Sequence, residues 1–300
     1  MIHHRQYRMA DDLYTGDYLL VRDFLIRLGN PTYSFGWWDE QITRTSFQLD
    51  HLSKFRLWFD GDQMVALACI EVTLGDGILC TQSGYEYLFD DMILYAKENL
   101  DDRGSLSLLV PDLNEPYREA AARAGLVASQ AGETDCVIQL DAMDLDYALP
   151  DGFRIASLRD NYDAFQIERI MRRAFSDDLE AFTLTPDEVA VVDRRFLRPF
   201  ANLDLHIAVI SPDQTYAAFC GLWQTKESAM AFIEPVATDP IYQKKGLGKA
   251  VVFEALKRCR DLGASSAVVF SSIPFYTSIG FRPNSTSTYW TAKCTPTCLE

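Results

Sequence analysis

Phe232-Ile233-Glu234-Pro235-Val236-Ala237-Thr238-Asp239-Pro240-Ile241-Tyr242-Gln243-Lys244-Lys245-Gly246-Leu247-Gly248-Lys249-Ala250 is the stretch that decides how this chain reads. It opens as an apolar strand, breaks at two prolines, and closes on Gln-x-x-Gly-x-Gly before an amphipathic helix. Glycine has no Cβ, so its backbone can approach a ligand closely and adopt positive φ. The first N–H groups of the following helix have no intrahelical acceptor and carry the positive end of its dipole. Strand, turn, glycines and helix in that order make an anion cradle. Lys244, Lys245 and Lys249 add positive charge beside it. A lone Gly-x-Gly would read instead as a turn with solvated lysines.

The pattern extends outward on both sides. In the second half a strand is predicted over 153–158 and a helix over 164–175, where apolar residues recur at helical spacing. Thr185-Pro186-Asp187-Glu188 starts another helix, with an N-cap, a first-turn proline and acids at the positive end. Strands follow at 205–210, 216–225 and 229–238. The helix after the glycines runs to about 262, where Gly263 stops it. A buried strand at 267–270, a short helix at 274–279 and strands over 281–293 complete the half. The first half repeats this order more faintly. Its strands fall near Tyr7 and at 55–59, 64–73, 106–110 and 136–140; its helices fall at 18–28, 87–100 and 115–124. Two similar runs of about 150 residues point to a duplication, with the boundary in the polar segment 141–152. The aromatic run Tyr33-Ser34-Phe35-Gly36-Trp37-Trp38 packs at the interface of the halves or caps a cleft.

Gln243-Lys244-Lys245-Gly246-Leu247-Gly248 resembles the pyrophosphate loop, Gln/Arg-x-x-Gly-x-Gly/Ala, of the GNAT superfamily of N-acetyltransferases. Phe275-Tyr276-Thr277-Ser278-Ile279-Gly280-Phe281 resembles that family's later Phe-Tyr-x-x-x-Gly-Phe segment, in the right order and at the right distance. The resemblance covers about 153–293. The first half is similar to the degenerate copy found in tandem GNAT proteins of the mycothiol synthase type. Its corresponding stretch, Thr81-Gln82-Ser83-Gly84-Tyr85-Glu86-Tyr87, has no Gly-x-Gly loop. The implied fold is α/β with a mixed sheet: a degenerate GNAT-like domain at 1–145 and an acetyl-CoA-binding domain at 146–300.

The resemblance also implies roles. The backbone of Val236, Ala237 and Thr238 bonds the pantetheine arm of acetyl-CoA. The loop from Gln243, with the N–H groups of Lys244, Lys245, Gly246, Leu247, Gly248 and Lys249, holds the pyrophosphate. Tyr276 protonates the leaving thiolate; its other reading is a core aromatic beside Phe275 and Phe281. The implied acceptor is a small-molecule amine, and an alkyl ammonium must lose a proton before it attacks a thioester. Glu234 is the candidate base, with strand alternation placing it on the face of Phe232 and Val236. It reads equally as a ligand for a cationic substrate or as a structural partner. The family often has an Asn before the Tyr; here Ser271 or Ser272 stands in its place.

Composition sets outer limits. The 300 residues are 48% hydrophobic and 24% charged, as in a folded chain. Net charge is −15, which argues against a nucleic-acid partner. Residues 1–150 carry 11 basic and 25 acidic side chains, and residues 151–300 carry 17 and 18. The second half therefore offers an anionic ligand little long-range repulsion. No apolar run reaches the ~20 residues of a membrane span, and the first eight residues lack the apolar core of a secretion signal. Most of the seven cysteines sit in apolar stretches, as core residues of a reducing, cytoplasmic compartment do. No metal site is expected: four histidines are scattered and only Cys294 and Cys298 form a close pair. The acidic segment 177–180 lies where the family places its substrate-covering helices. Two rival functions stay open, a non-catalytic acyl-CoA-binding regulator and a peptide N-terminal acetyltransferase.

Overall fold

The order strand, two helices, three strands, helix, strand, helix, strand occurs twice along the chain. The computed structural model describes residues 1–44, 46–141, 143–176 and 180–292. The first copy contains β1 (Ile2–Gln6), α1 (Asp17–Leu28), α2 (Phe35–Gln41), β2 (Arg56–Asp60), β3 (Gln63–Ile70) and β4 (Asp76–Thr81). It ends with α3 (Phe89–Asn99), β5 (Ser107–Pro111), α4 (Glu115–Arg123) and β6 (Leu126–Gln139). The second copy contains β7 (Arg154–Ser157), α5 (Ala164–Phe175), α6 (Pro186–Phe196), β8 (Ile207–Ile210), β9 (Tyr216–Trp223) and β10 (Met230–Thr238). It ends with α7 (Leu247–Asp261), β11 (Ser266–Val269), α8 (Pro274–Ser278) and β12 (Arg282–Ala292). Local chemistry fixes several ends. Thr185 and Glu188 form a reciprocal capping box on α6, and Gly29 closes α1 in the left-handed conformation.

All twelve strands share one sheet, ordered β1-β2-β3-β4-β5-β12-β6-β11-β10-β9-β8-β7. The two halves exchange their last strands. β6 of the first half pairs antiparallel with β11 of the second, and β12 of the second pairs antiparallel with β5 of the first. β6 and β12 also pair with each other, from Arg282 opposite Val137 to Ala292 opposite Leu126. This lengthens the closing strand of the first half well beyond the 136–140 of the sequence reading. Residues 129–135 are mostly polar or small and carry no apolar alternation; pairing with β12, remote in sequence, makes them strand. Gly132 is required there, because a Cβ would lie 2.4 Å from the Ser287 carbonyl oxygen.

The helices cover both faces of the sheet. One core in the second half packs α7 and α8 on β8 to β11, and takes in Cys136, Ile138 and Leu140 of the first half. On the other face α5 and α6 pack on Tyr216, Phe219 and Ala237. The core of the first half extends into the second through Trp223, Phe232 and Val268. The aromatic run forms α2, in which every residue is buried, capped by Ser34 Oγ accepting from Trp37 N. It lies at the interface: a Cβ on Gly36 would approach the Cβ atoms of Phe232 and Trp223 at 2.7 and 2.9 Å. Cys69, Cys80, Cys136, Cys220 and Cys259 are free and buried. Cys294, Cys298 and residues 177–179 lie outside the described residues. Among the described residues no helix is long and apolar enough to cross a membrane.

The exchange makes each half depend on the other for its own edge. Gly132→Val should therefore destabilise the chain by about 2–3 kcal/mol through overpacking. Urea unfolding should move to a lower midpoint as one transition rather than two.

Candidate active site

β10 and β11 pair only over Met230 to Phe232 and Ser266 to Val268, and then part. The wedge they leave opens into a cleft. On its other side β10 stays paired with β9, but the register slips: Phe232 faces Trp223, Ile233 faces Leu222, and Val236 faces Cys220. Glu234 and Pro235, joined by a cis peptide, thus oppose Gly221 alone, a β-bulge. A Cβ on Gly221 would lie 2.4 Å from the Glu234 carbonyl oxygen, so only glycine fits. The bulge corrects the alternation read from the sequence. Phe232 joins the core shared with the first half, whereas Val236 packs with the α7 core on the opposite face. Beyond the bulge the Asp239 amide donates to the Ala217 carbonyl at 3.1 Å. Antiparallel alternation then turns the Val236 and Thr238 backbone groups away from β9, toward the wedge.

The loop after β10 is anchored by Asp239, whose buried carboxylate receives Arg169 Nη2 at 2.8 Å and Arg173 Nε at 2.6 Å from α5. Gly246 caps α7 at φ 80° and Lys244 also has positive φ, 60°. The first described bond of α7 runs from the Ala250 amide to the Gly246 carbonyl. The Leu247, Gly248 and Lys249 amides are left free. A Cβ on Gly248 would lie 3.1 Å from Thr238 Oγ1, so glycine lets the helix end meet the strand edge. Lys244, Lys245 and Lys249 have no acidic partner among the described residues. Lys245 Nζ sits over the Tyr242 ring and Lys249 Nζ over Phe253.

The result is a cleft of about 650 Å³. Val236, Ala237, Thr238, Gln243, Lys244, Gly246, Leu247, Gly248 and Lys249 all line it; Lys245 does not. Ala174 and Phe175 at the end of α5 form a wall that the sequence did not mark, and Phe275, Ser278 and Ile279 of the Phe-Tyr-x-x-x-Gly-Phe segment form another. Ser271 and Ser272 are not among its lining residues. The corresponding stretch of the first half is built the other way. There the Glu86 carboxylate accepts from the Gly84 amide at 2.8 Å, and Asp90 and Asp91 stand in the first turn of α3. Acidic side chains thus place negative charge at that positive end.

Tyr276 is 7% exposed and packs against Phe275 and Phe281 at ring distances of 5.1 and 5.5 Å. It is not a lining residue of the cleft, although its neighbours are. Its hydroxyl has no described hydrogen-bond partner. Burial, with the Cys220 thiol and Glu234 carboxyl nearby, raises its pKa. Glu234 lines a second cleft of about 500 Å³ between α5, α6 and Thr43, Arg44 and Ser46, which shares Phe175 with the first. Burial raises the Glu234 pKa; Glu40 pushes it further up, while Arg44 and Arg195 pull it down. Arg44 Nη2 lies 3.5 Å from Glu234 Oε1. Nothing in the sequence marks Arg44, 190 residues away from its partner. Trp223 and Tyr216 are core residues, and Trp223 Nε1 donates to the Glu234 carbonyl at 2.8 Å.

Residues 167–281 match the model of the Acetyltransferase (GNAT) family. The second half carries a GNAT acetyltransferase domain. A segment of 57 residues is 39% identical to glucosamine 6-phosphate N-acetyltransferase of Trypanosoma brucei brucei, 18% of this chain and 39% of that protein. The chain thus spans about two-fifths of that curated relative. A tandem GNAT protein from the clavulanic acid biosynthesis pathway superimposes with a TM-score of 0.60 over 97% of this chain and 98% of that one, at 14% identity. A GCN5-related N-acetyltransferase from Sphaerobacter thermophilus gives 0.56 over 96% and 94%, at 13% identity. The fold is therefore the mixed α/β tandem GNAT arrangement.

In this GNAT domain the loop depends on the Asp239 anchor. Asp239→Ala leaves two half-buried guanidinium groups without a counter-charge, and should cost about 3–5 kcal/mol by urea unfolding. Exposed Asp213→Ala should cost far less.

Proposed function

We propose that the chain is an acetyl-CoA-dependent N-acetyltransferase that transfers the acetyl group to the primary amine of a small molecule by direct attack on the thioester. The carrying observation is a pair of neighbouring clefts that share Phe175 in their walls. One ends on free helix amides and unpaired lysines, and the other holds Glu234. The donor set fits an extended anionic thioester. Three free amides and Lys244 and Lys249 suit a pyrophosphate. The outward Val236 and Thr238 backbone groups suit an amide-bearing arm laid against the strand, and the close approach permitted by Gly248 leaves room. Bound there, acetyl-CoA supplies an activated acyl carbon.

The chain's own groups do the rest. Glu234 Oε1 or Oε2 takes a proton from the acceptor ammonium, directly or through water. A backbone N–H at the bulge, that of Val236, meets developing negative charge; Pro235 has none to give. Tyr276 Oη keeps its proton through neutral pH, because burial raises its pKa, and can give it to a departing thiolate. A second cleft of about 500 Å³ is the size of a small-molecule site, which favours this reading over a peptide acceptor.

Calorimetry should give one acetyl-CoA per chain, abolished by Gly246→Glu; two sites would place a second cofactor site in the first half, and no binding would end this proposal. Tyr276→Phe should keep acetyl-CoA affinity and lower kcat by about 100-fold. Unchanged turnover would remove the acid role.

The base must be ionised to act. Its pKa is raised, so kcat should climb with pH through a midpoint above the ordinary glutamate value of 4.5 and be lost below it. A stopped pH-rate series, with Glu234→Gln abolishing that limb, checks the assignment.

A further inference from the structure

We propose that Arg44 of the first half is a positioning residue for Glu234, so that the two halves together build one active site. The proposal rests on the reading of Glu234 as the proton acceptor. Arg44 follows α2 in the chain. Its Nε lies 2.6 Å from Glu40 Oε2, and its Nη2 lies 3.5 Å from Glu234 Oε1. Glu40 is fully buried, and Arg195 of α6 holds its other oxygen. Two guanidinium groups and two carboxylates thus meet where the halves join.

The charges balance only when Glu234 is ionised. Without Arg44, Glu40 and Arg195 neutralise each other, and Glu234 keeps no partner in a site that penalises its charge. The remaining groups around it leave this balance in place. Arg172 pairs with Glu168 at 2.7 Å and Glu188 at 3.2 Å on α5 and α6. Glu71 and Glu133 line a small pocket together with Arg44 and Glu234 and add negative charge there. Cys220 and Tyr276, which feel the Glu234 charge, are both held neutral by burial. Arg44 is therefore the cation that Glu234 shares with a surplus of carboxylates. Its link to buried Glu40 fixes where that cation stands.

The test reads Glu234 directly and needs no turnover. The full chain is labelled with glutamate carrying 13C at the side-chain carboxyl, and the Glu234 signal is assigned by its loss in Glu234→Gln. Its titration midpoint should rise by about one pH unit or more in Arg44→Gln. Arg44→Lys, which keeps the charge, should recover most of that shift. Glu40→Gln should move the midpoint down, because it removes a neighbouring negative charge and frees Arg44 for Glu234. Opposite shifts from two neighbouring substitutions are not what general loosening produces. If Arg44→Gln does not fold, the downward shift in Glu40→Gln carries the test, with Arg44→Lys as the charge-preserving control.

Acetyl-CoA affinity by calorimetry should stay within about threefold of the parent, since Arg44 does not line the cofactor cleft. Midpoints that do not move in Arg44→Gln and Glu40→Gln overturn the positioning role. If Glu234→Gln still abolishes turnover in that case, the base reading stands alone. Full turnover in Glu234→Gln overturns both.

Discussion

Neither half of this chain can finish its own sheet. β12 lies between β5 and β6, and β6 lies between β12 and β11, so each half closes on a strand that the other supplies. Backbone N–H and C=O groups must be paired when water is excluded, and here the pairing partner is always across the duplication. That constraint brings the two halves into one sheet. It also presses α2 onto Phe232 and Trp223, where Gly36 leaves space for nothing larger. The position of Arg44 beside Glu234 follows from that contact.

The site itself comes from two failures of regular pairing on β10. The strand leaves β11 after three residues, opening the wedge, and slips against β9 by one residue, creating the bulge at Glu234 and Pro235. A regular strand would present Glu234 with Val236 and would offer no unpaired edge beside it. Gly221 makes the slip possible, and Gly248 brings the free end of α7 to the same edge. Each glycine is placed where a Cβ would meet backbone or a packed side chain, so the shape of the cleft is a steric consequence of which residues lack one.

The halves share a fold and diverge in charge. At the start of α7 the helix amides are free and lysines stand beside them; before α3 the Glu86 carboxylate accepts from the Gly84 amide, and two aspartates stand in the first turn of the helix. One arrangement invites an anion and the other repels it. Both are legible from residue type alone, because capping and dipole effects act within a single turn. The same locality made the helix start at Thr185 and the stop after α7 readable. By contrast, residues 129–135 carry no strand pattern of their own, and α2 reads only as an aromatic cluster. Those elements exist because of partners far away in sequence.

From the sequence alone came the order of elements, the duplication, the anion cradle at 243–249 and the resemblance that named the family. All of these depend on residues within a turn or two of one another, or on hydrophobic periodicity along one element. Tertiary structure alone decided the strand exchange, the reversal of faces at the bulge, the burial of Tyr276 and the approach of Arg44 to Glu234 across 190 positions. A register slip costs one residue of pattern and leaves no mark in composition. A salt bridge between halves is set by how two surfaces meet, which no local preference encodes.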